Sequence, residues 1–141
     1  MTLTLQQAVE CIDRGVAKAR ELGFRVAIAV VDDAGHLVAC HRMDDALWVT
    51  PEIARAKANA AAAFHASTRE LETRFTGTRE LFANNVATLG SYQFIFGAGA
   101  VPLDAGGRVI GAVGVSGAVP ADNDDAIAGT AAGSPGLPGH H

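Results

Sequence analysis

Lys57 is the first residue whose setting suggests chemistry. It stands in the alanine-rich run Ala54, Ala56, Ala58, Ala60, Ala61, Ala62 and Ala63, where Arg55 is the other charge. An ammonium among apolar neighbours can neutralise a ligand carboxylate or propionate, or it can snorkel to the surface with its stem on the core. Arg55, two residues earlier, falls elsewhere around the helix and is expected at the surface. Two glycine-bearing stretches add a second feature. Gly97 and Gly99 interrupt an apolar run, and Gly111, Gly114 and Gly117 punctuate another. Glycine within a strand marks a bulge or a close backbone approach. Gly97, Gly99, Gly114, Ser116 and Gly117 are therefore candidates to line a hollow at the strand ends, with Lys57 looking into it. Ser116-Gly117 leads through Pro120 into a helix whose first N–H groups could hold a carboxylate. Asp122 or Asp124 could instead cap that helix and fill the same place. Asp124 is counted with the ligand-binding candidates.

Histidine is the natural iron ligand. His36 falls beside a turn and is expected to be exposed. His41, five residues on along an extended segment, should face the opposite side. His65 ends the alanine-rich helix, where its protonated form favours the helix dipole. His65, then His41, are the candidates for a haem iron. No pair has HxH or HxxxH spacing, so no structural zinc is expected. The chain shows no P-loop and no dinucleotide fingerprint. Gly114-Val115-Ser116-Gly117 lacks the second spaced glycine of a nucleophile elbow. Glu70 and Glu72 read as complements to a helix start. Cys11 and Cys40, with no CxxC pair, suggest two free, inert thiols in a reducing compartment.

The elements that position these residues are legible from period and punctuation. Leu5, Ala8, Val9, Ile12, Val16, Ala19 and Leu22 recur on one helical face, with Thr4 as N-cap and Gly23 as C-cap. Residues 24–31 form an apolar strand, expected to be central and covered on both sides. Asp32 to Gly35 turns the chain, and residues 36–42 return as the partner strand. Thr50 caps a second helix, with Pro51 at its first position, running to His65. Its small residues suit close packing, including packing between subunits. Ser67 or Thr68 opens a short helix through Phe75, and residues 78–84 form another. Residues 85–90 have no clear pattern. Phe94-Ile95-Phe96 is expected as a short strand; Val101-Pro102-Leu103 resumes after the glycines. Residues 104–107 turn, residues 108–115 form the last strand, and a helix over 121–132 closes the domain. Hairpin-linked strands imply an antiparallel α+β sheet.

The chain has 141 residues and 49% apolar residues, which suits one domain over residues 1–133 with a core of its own. Residues 134–141, rich in Gly and Pro, read as a disordered tail. The net charge of −4 argues against a nucleic-acid partner. The polar start has no basic stretch before an apolar run, and no segment reaches membrane-spanning length. A cytoplasmic location is expected.

Val31-Asp32-Asp33-Ala34-Gly35-His36-Leu37-Val38-Ala39, followed by Arg42-Met43-Asp44, resembles the first hairpin of the GlcG/HbpS-like family. Ile53 to Ala58 is similar to its lysine-bearing helix, and Gly97 to Leu103 to its glycine-rich strand. Gly107 to Gly117 resembles its strongest motif, and Asp124, Ile127 and Ala128 match the start of its last helix. Ala100 departs from the pattern, which commonly has glycine there. The resemblance implies a profilin-like sandwich, with a central antiparallel sheet of about five strands and flanking helices. It also implies an oligomer and a pocket for haem, another tetrapyrrole or a small organic acid, in an accessory role to a catabolic pathway. Two alternatives stand beside it. One is a small enzyme using Lys57, Asp124 and a histidine as acid and base on an organic acid or aromatic breakdown product. The other is an oligomeric accessory protein with no ligand.

Overall fold

The computed structural model describes residues 2–133; the expected tail, residues 134–141, lies outside the described residues. The order is α1 (Leu5–Leu22), β1 (Ala27–Asp32), β2 (Leu37–Arg42), α2 (Thr50–Phe64), α3 (Thr68–Phe75), α4 (Glu80–Val86), β3 (Ala100–Ala105), β4 (Arg108–Ser116) and α5 (Ala121–Ala131). One antiparallel sheet has the order β2-β1-β4-β3.

The ends of α1 follow from residue chemistry. The Thr4 side chain accepts from the Gln7 N–H while the Gln7 side chain accepts from the Thr4 N–H, a reciprocal capping box. Gly23 closes the helix in the left-handed region, φ 83°. At the first hairpin, the Asp32 carboxylate accepts from the N–H groups of Ala34 and His36, both at 2.9 Å. That side-chain turn fixes the reversal. The cap of α2 differs from expectation. Val49 is the capping residue and Thr50 opens the helix, its hydroxyl donating to the Leu47 carbonyl instead.

β1 is central and buried from Ala27 to Val31, as its apolar run requires. Its side chains alternate between two layers. Ile28 and Val30, with Val113 and Val115 of β4, meet Ile12 of α1 and Ile127 of α5 in the larger core. Val31 and Ala112 face Ala58, Ala61 and Ala62 of α2 on the other side. The helices therefore sandwich the sheet, α1 and α5 on one face and α2 on the other.

The fifth strand is a correction. Residues 94–96 have no regular secondary structure and pair with no strand, so the sheet has four among the described residues. Phe94 and Phe96 each stack on Phe64, centroids 5.9 Å apart, in an aromatic cluster with Phe75. Those rings are partly buried against α2 and α3, not in a ladder. α4 also starts two residues later than the expected 78–84 and runs through part of the stretch that had no pattern.

Candidate functional site

Lys57, Gly99 and Asp124 do converge. Nζ of Lys57 donates to the Val115 carbonyl and to Oδ2 of Asp124, both at 3.2 Å. Both side chains are nearly sealed, 7% and 5% exposed. The other oxygen of Asp124 accepts from the Ala118 N–H at 2.9 Å. The carboxylate position ahead of α5 is thus taken by the chain's own Asp124, while Pro120 is the capping residue. Burial pushes the Asp124 carboxyl above its ordinary range; the Lys57 ammonium and the Ala118 N–H act the other way.

The glycines give room to protein atoms here. Gly99 has φ +136°, and a Cβ on it would stand 2.8 Å from the Lys57 ammonium nitrogen. A Cβ on Gly114 would stand 2.1 Å from the Ala54 carbonyl oxygen, so α2 rests directly on β4. The hollow expected at the strand ends is filled by Lys57, Asp124 and the backbone of α2. Ser116, opposite Ala27 at the end of β4, is buried. Gly117 packs on the Arg25 carbonyl, and Gly97 stands apart beside Ile95.

Neither histidine favoured for iron joins that cluster. His65 closes the far end of α2 in a left-handed conformation, φ 52°, and is exposed. His41 lies exposed on the edge strand β2, opposite Ile28. Among the described residues no three His, Cys, Asp or Glu groups gather as a metal site. Cys11 and Cys40 are both free, and burial raises both thiols above their ordinary value.

The main cavity is elsewhere. A cleft of about 720 Å³ opens between the first hairpin turn, the N-terminal half of α2 and residues 91–95. Ile53, Ala56, Phe94 and Ile95 supply its apolar wall; Glu52, Arg55, Asn59, His36 and Tyr92 supply polar groups. The rings of Tyr92 and Phe94 lie 5.0 Å apart, tilted by 37°. The Ile95 N–H donates to the Ala56 carbonyl at 3.2 Å and pins this wall to α2.

Two of these residues have a polar group without a partner among the described residues. Asn59 is 6% exposed, and its Nδ2 donates to the Gln93 carbonyl at 3.4 Å. Its Oδ1 is buried without a donor. Such a group in a native interior calls for an explanation, and a ligand donor or a water supplies one. Arg55 has no carboxylate within 4.0 Å among the described residues. Arg55 and Asn59 are one helical turn apart and so share a face. That spacing was visible in the sequence. What hid the site was its third wall, residues 91–95, of which residues 94 and 95 were expected in a short strand and the rest carried no assignment.

Comparison with known proteins accords with this architecture. The family model described as "Haem degrading protein HbpS-like" matches residues 3–133. Protein GlcG of Escherichia coli K12 is 37% identical over 114 residues, covering 81% of each chain. The crystal structure of an HbpS double mutant from Streptomyces reticuli superposes with a TM-score of 0.84 at 30% identity, covering 97% of this chain and 89% of that one. A PduOC:haem complex superposes with a TM-score of 0.85 at 28% identity, over the whole of both chains. No described helix is long and apolar enough to cross a membrane. With its family model spanning nearly all the described residues, the chain belongs to the HbpS-like family.

Proposed function

We propose that this chain is a binding protein for a flat, carboxylate-bearing ligand, haem or another tetrapyrrole or a smaller organic acid, held in the cleft beside α2. One observation carries the reading: a cleft of about 720 Å³ whose wall presents an unpaired guanidinium, Arg55, beside a buried acceptor without a donor, Asn59 Oδ1. The volume is within the range of small-molecule sites, roughly 300–1,000 Å³. The residues fit haem. Tyr92 and Phe94 offer aromatic faces to a macrocycle, Arg55 suits a propionate, and the exposed His36 imidazole stands on the rim for iron. Haem, when bound, supplies iron redox chemistry. The haem-complex structure of PduOC supports a haem ligand in this family.

Lys57, Asp124, Gly99 and Gly114 serve this ligand indirectly, by seating α2 so that Arg55 and Asn59 face the cleft. An acid–base enzyme is less well supported, because among the described residues no histidine is hydrogen-bonded to the Lys57–Asp124 pair. Self-association belongs to the same proposal. Leu47, Trp48 and Leu81 are 70%, 77% and 75% exposed, apolar surface that a second copy would cover.

Titration with hemin tests the reading. The wild type should give a saturable Soret shift. Arg55→Ala should weaken it about tenfold, the loss of one charge-assisted contact. His36→Ala should move the bound Soret band, and iron-free protoporphyrin should bind without responding to that change. A wild type with no Soret shift, and no thermal shift with aromatic or aliphatic carboxylates, would overturn the proposal.

A further inference from the structure

Nine arginines and two lysines are present in a chain whose net charge is −4. Most are satisfied by the protein itself. Lys18, Lys57, Arg69, Arg74 and Arg108 each have a carboxylate within 4.0 Å. Arg14 donates to the Ala131 carbonyl, and Arg79 lies over the Phe82 ring at 4.4 Å. Among the described residues this leaves Arg20, Arg25, Arg42 and Arg55. Arg55 faces the main cleft, and the other three line a single separate concavity of about 240 Å³.

We propose that this concavity is a binding site for a small, multiply charged oxyanion, with adjacent phosphoryl or carboxylate groups. It lies at the open end of the β1–β2 hairpin, beside the last turns of α1, and His41 is also on its wall. Asp44 is the one carboxylate there, and it comes within 4.0 Å of none of the arginines. Three guanidinium charges against one carboxylate leave a net of two positive charges. Arg20 has an ordinary role in the last turn of α1, where it complements the helix dipole. That does not account for Arg25 in the loop or Arg42 at the end of β2.

The backbone carrying them is fixed. Arg42 pairs with Ala27, and the Met43 N–H donates to the Val26 carbonyl at 2.9 Å. Gly117 packs on the Arg25 carbonyl. Like charges held together on a rigid frame repel one another, and a bound anion relieves the repulsion. Guanidinium forks suit paired oxyanion oxygens, and the His41 imidazole can add an N–H donor. The volume falls below the roughly 300 Å³ at which sites for larger organic ligands begin. The guest is therefore of pyrophosphate or tricarboxylate size.

Calorimetric titration of the full chain with pyrophosphate, and separately with citrate, tests this. At low salt at least one anion should bind saturably, one per chain, and the stronger one identifies phosphoryl or carboxylate recognition. Binding should weaken about tenfold in Arg25→Gln/Arg42→Gln, as expected for lost charge-assisted contacts, and fall as salt approaches roughly 0.15 M. Arg74→Gln, which alters a cation elsewhere, should bind as wild type. If the double variant loses its far-UV circular dichroism, Arg20→Gln is read instead. Absence of saturable binding by either anion overturns the proposal, as does binding undiminished in the folded arginine variants. Equal loss in Arg55→Gln also overturns it, because the anion would then occupy the main cleft. Hemin binding tests the other site, so either proposal can fail alone.

Discussion

At Lys57 and Asp124 two opposite charges sit in the interior, each the main counter-charge of the other. Taking such ions out of water costs several kcal/mol each, and removing one partner strands the other. Lys57→Met should therefore destabilise the fold by about 3–5 kcal/mol in urea unfolding. Asp124→Asn added to it should recover part of that loss, because the amide oxygen still accepts from the Ala118 N–H and leaves no buried charge. The sign with pH follows from the carboxyl. Burial already raises Asp124 above its ordinary value, and losing Lys57 raises it further. The folded variant then holds its proton more readily than the unfolded chain, so this group's contribution is present at low pH and lost as pH rises through the raised value. The deficit of Lys57→Met relative to wild type should shrink as pH falls towards the ordinary carboxylate range. A deficit independent of pH would mean that Asp124 is not what the lysine serves.

Between elements, the decisive contact is α2 on β4. The alanines of α2 and Gly114 bring helix backbone against strand backbone, the Ala58 amide nitrogen standing 2.9 Å from where a Gly114 Cβ would be. Backbone cannot rotate away as a long side chain can. Gly114→Ala should cost about 3 kcal/mol or more through overpacking. It should also weaken hemin binding in the folded fraction, because a lifted α2 moves Arg55 and Asn59 off the cleft. Retained affinity with lowered thermal stability would separate the helix seat from the site. The sequence read this contact as small residues suited to close packing. It misread residues 94–96 because a short apolar triplet looks the same in sequence whether it meets a sheet partner or an aromatic cluster.

For the whole molecule, charge and cavities are distributed over two faces. His36 lines the cleft on the α2 side, and His41 lines the arginine concavity on the α1 side. His36 precedes β2 in the turn, and a bulge opposite Val30 and Val31 shifts the alternation before His41, so the turn and bulge set the two faces. The two sites lie at opposite ends of β2, about 20 Å apart at 3.3 Å per residue. Saturation with hemin should therefore leave pyrophosphate affinity unchanged within about twofold, measured by calorimetry on the loaded protein, as expected for sites well separated and without shared partners. Strong competition would place both ligands in one cavity.

Much of the frame is local and could be read from the chain. Thr4 and Gly23 bound α1, Asp32 sets the hairpin turn, Ser67 caps α3, and the unbroken apolar run of β1 required a central place. Each of these depends on residues a few positions apart, so period and punctuation determine it. The site depends on contacts made across the fold. Lys57 became half of an ion pair because Asp124, 67 positions later, reached it first. Arg55 came to face a cleft because residues 91–95 fold back onto α2. Whether a cation meets a carboxylate, an aromatic face or open space is decided by chain segments distant in sequence, and only the folded structure brings those together.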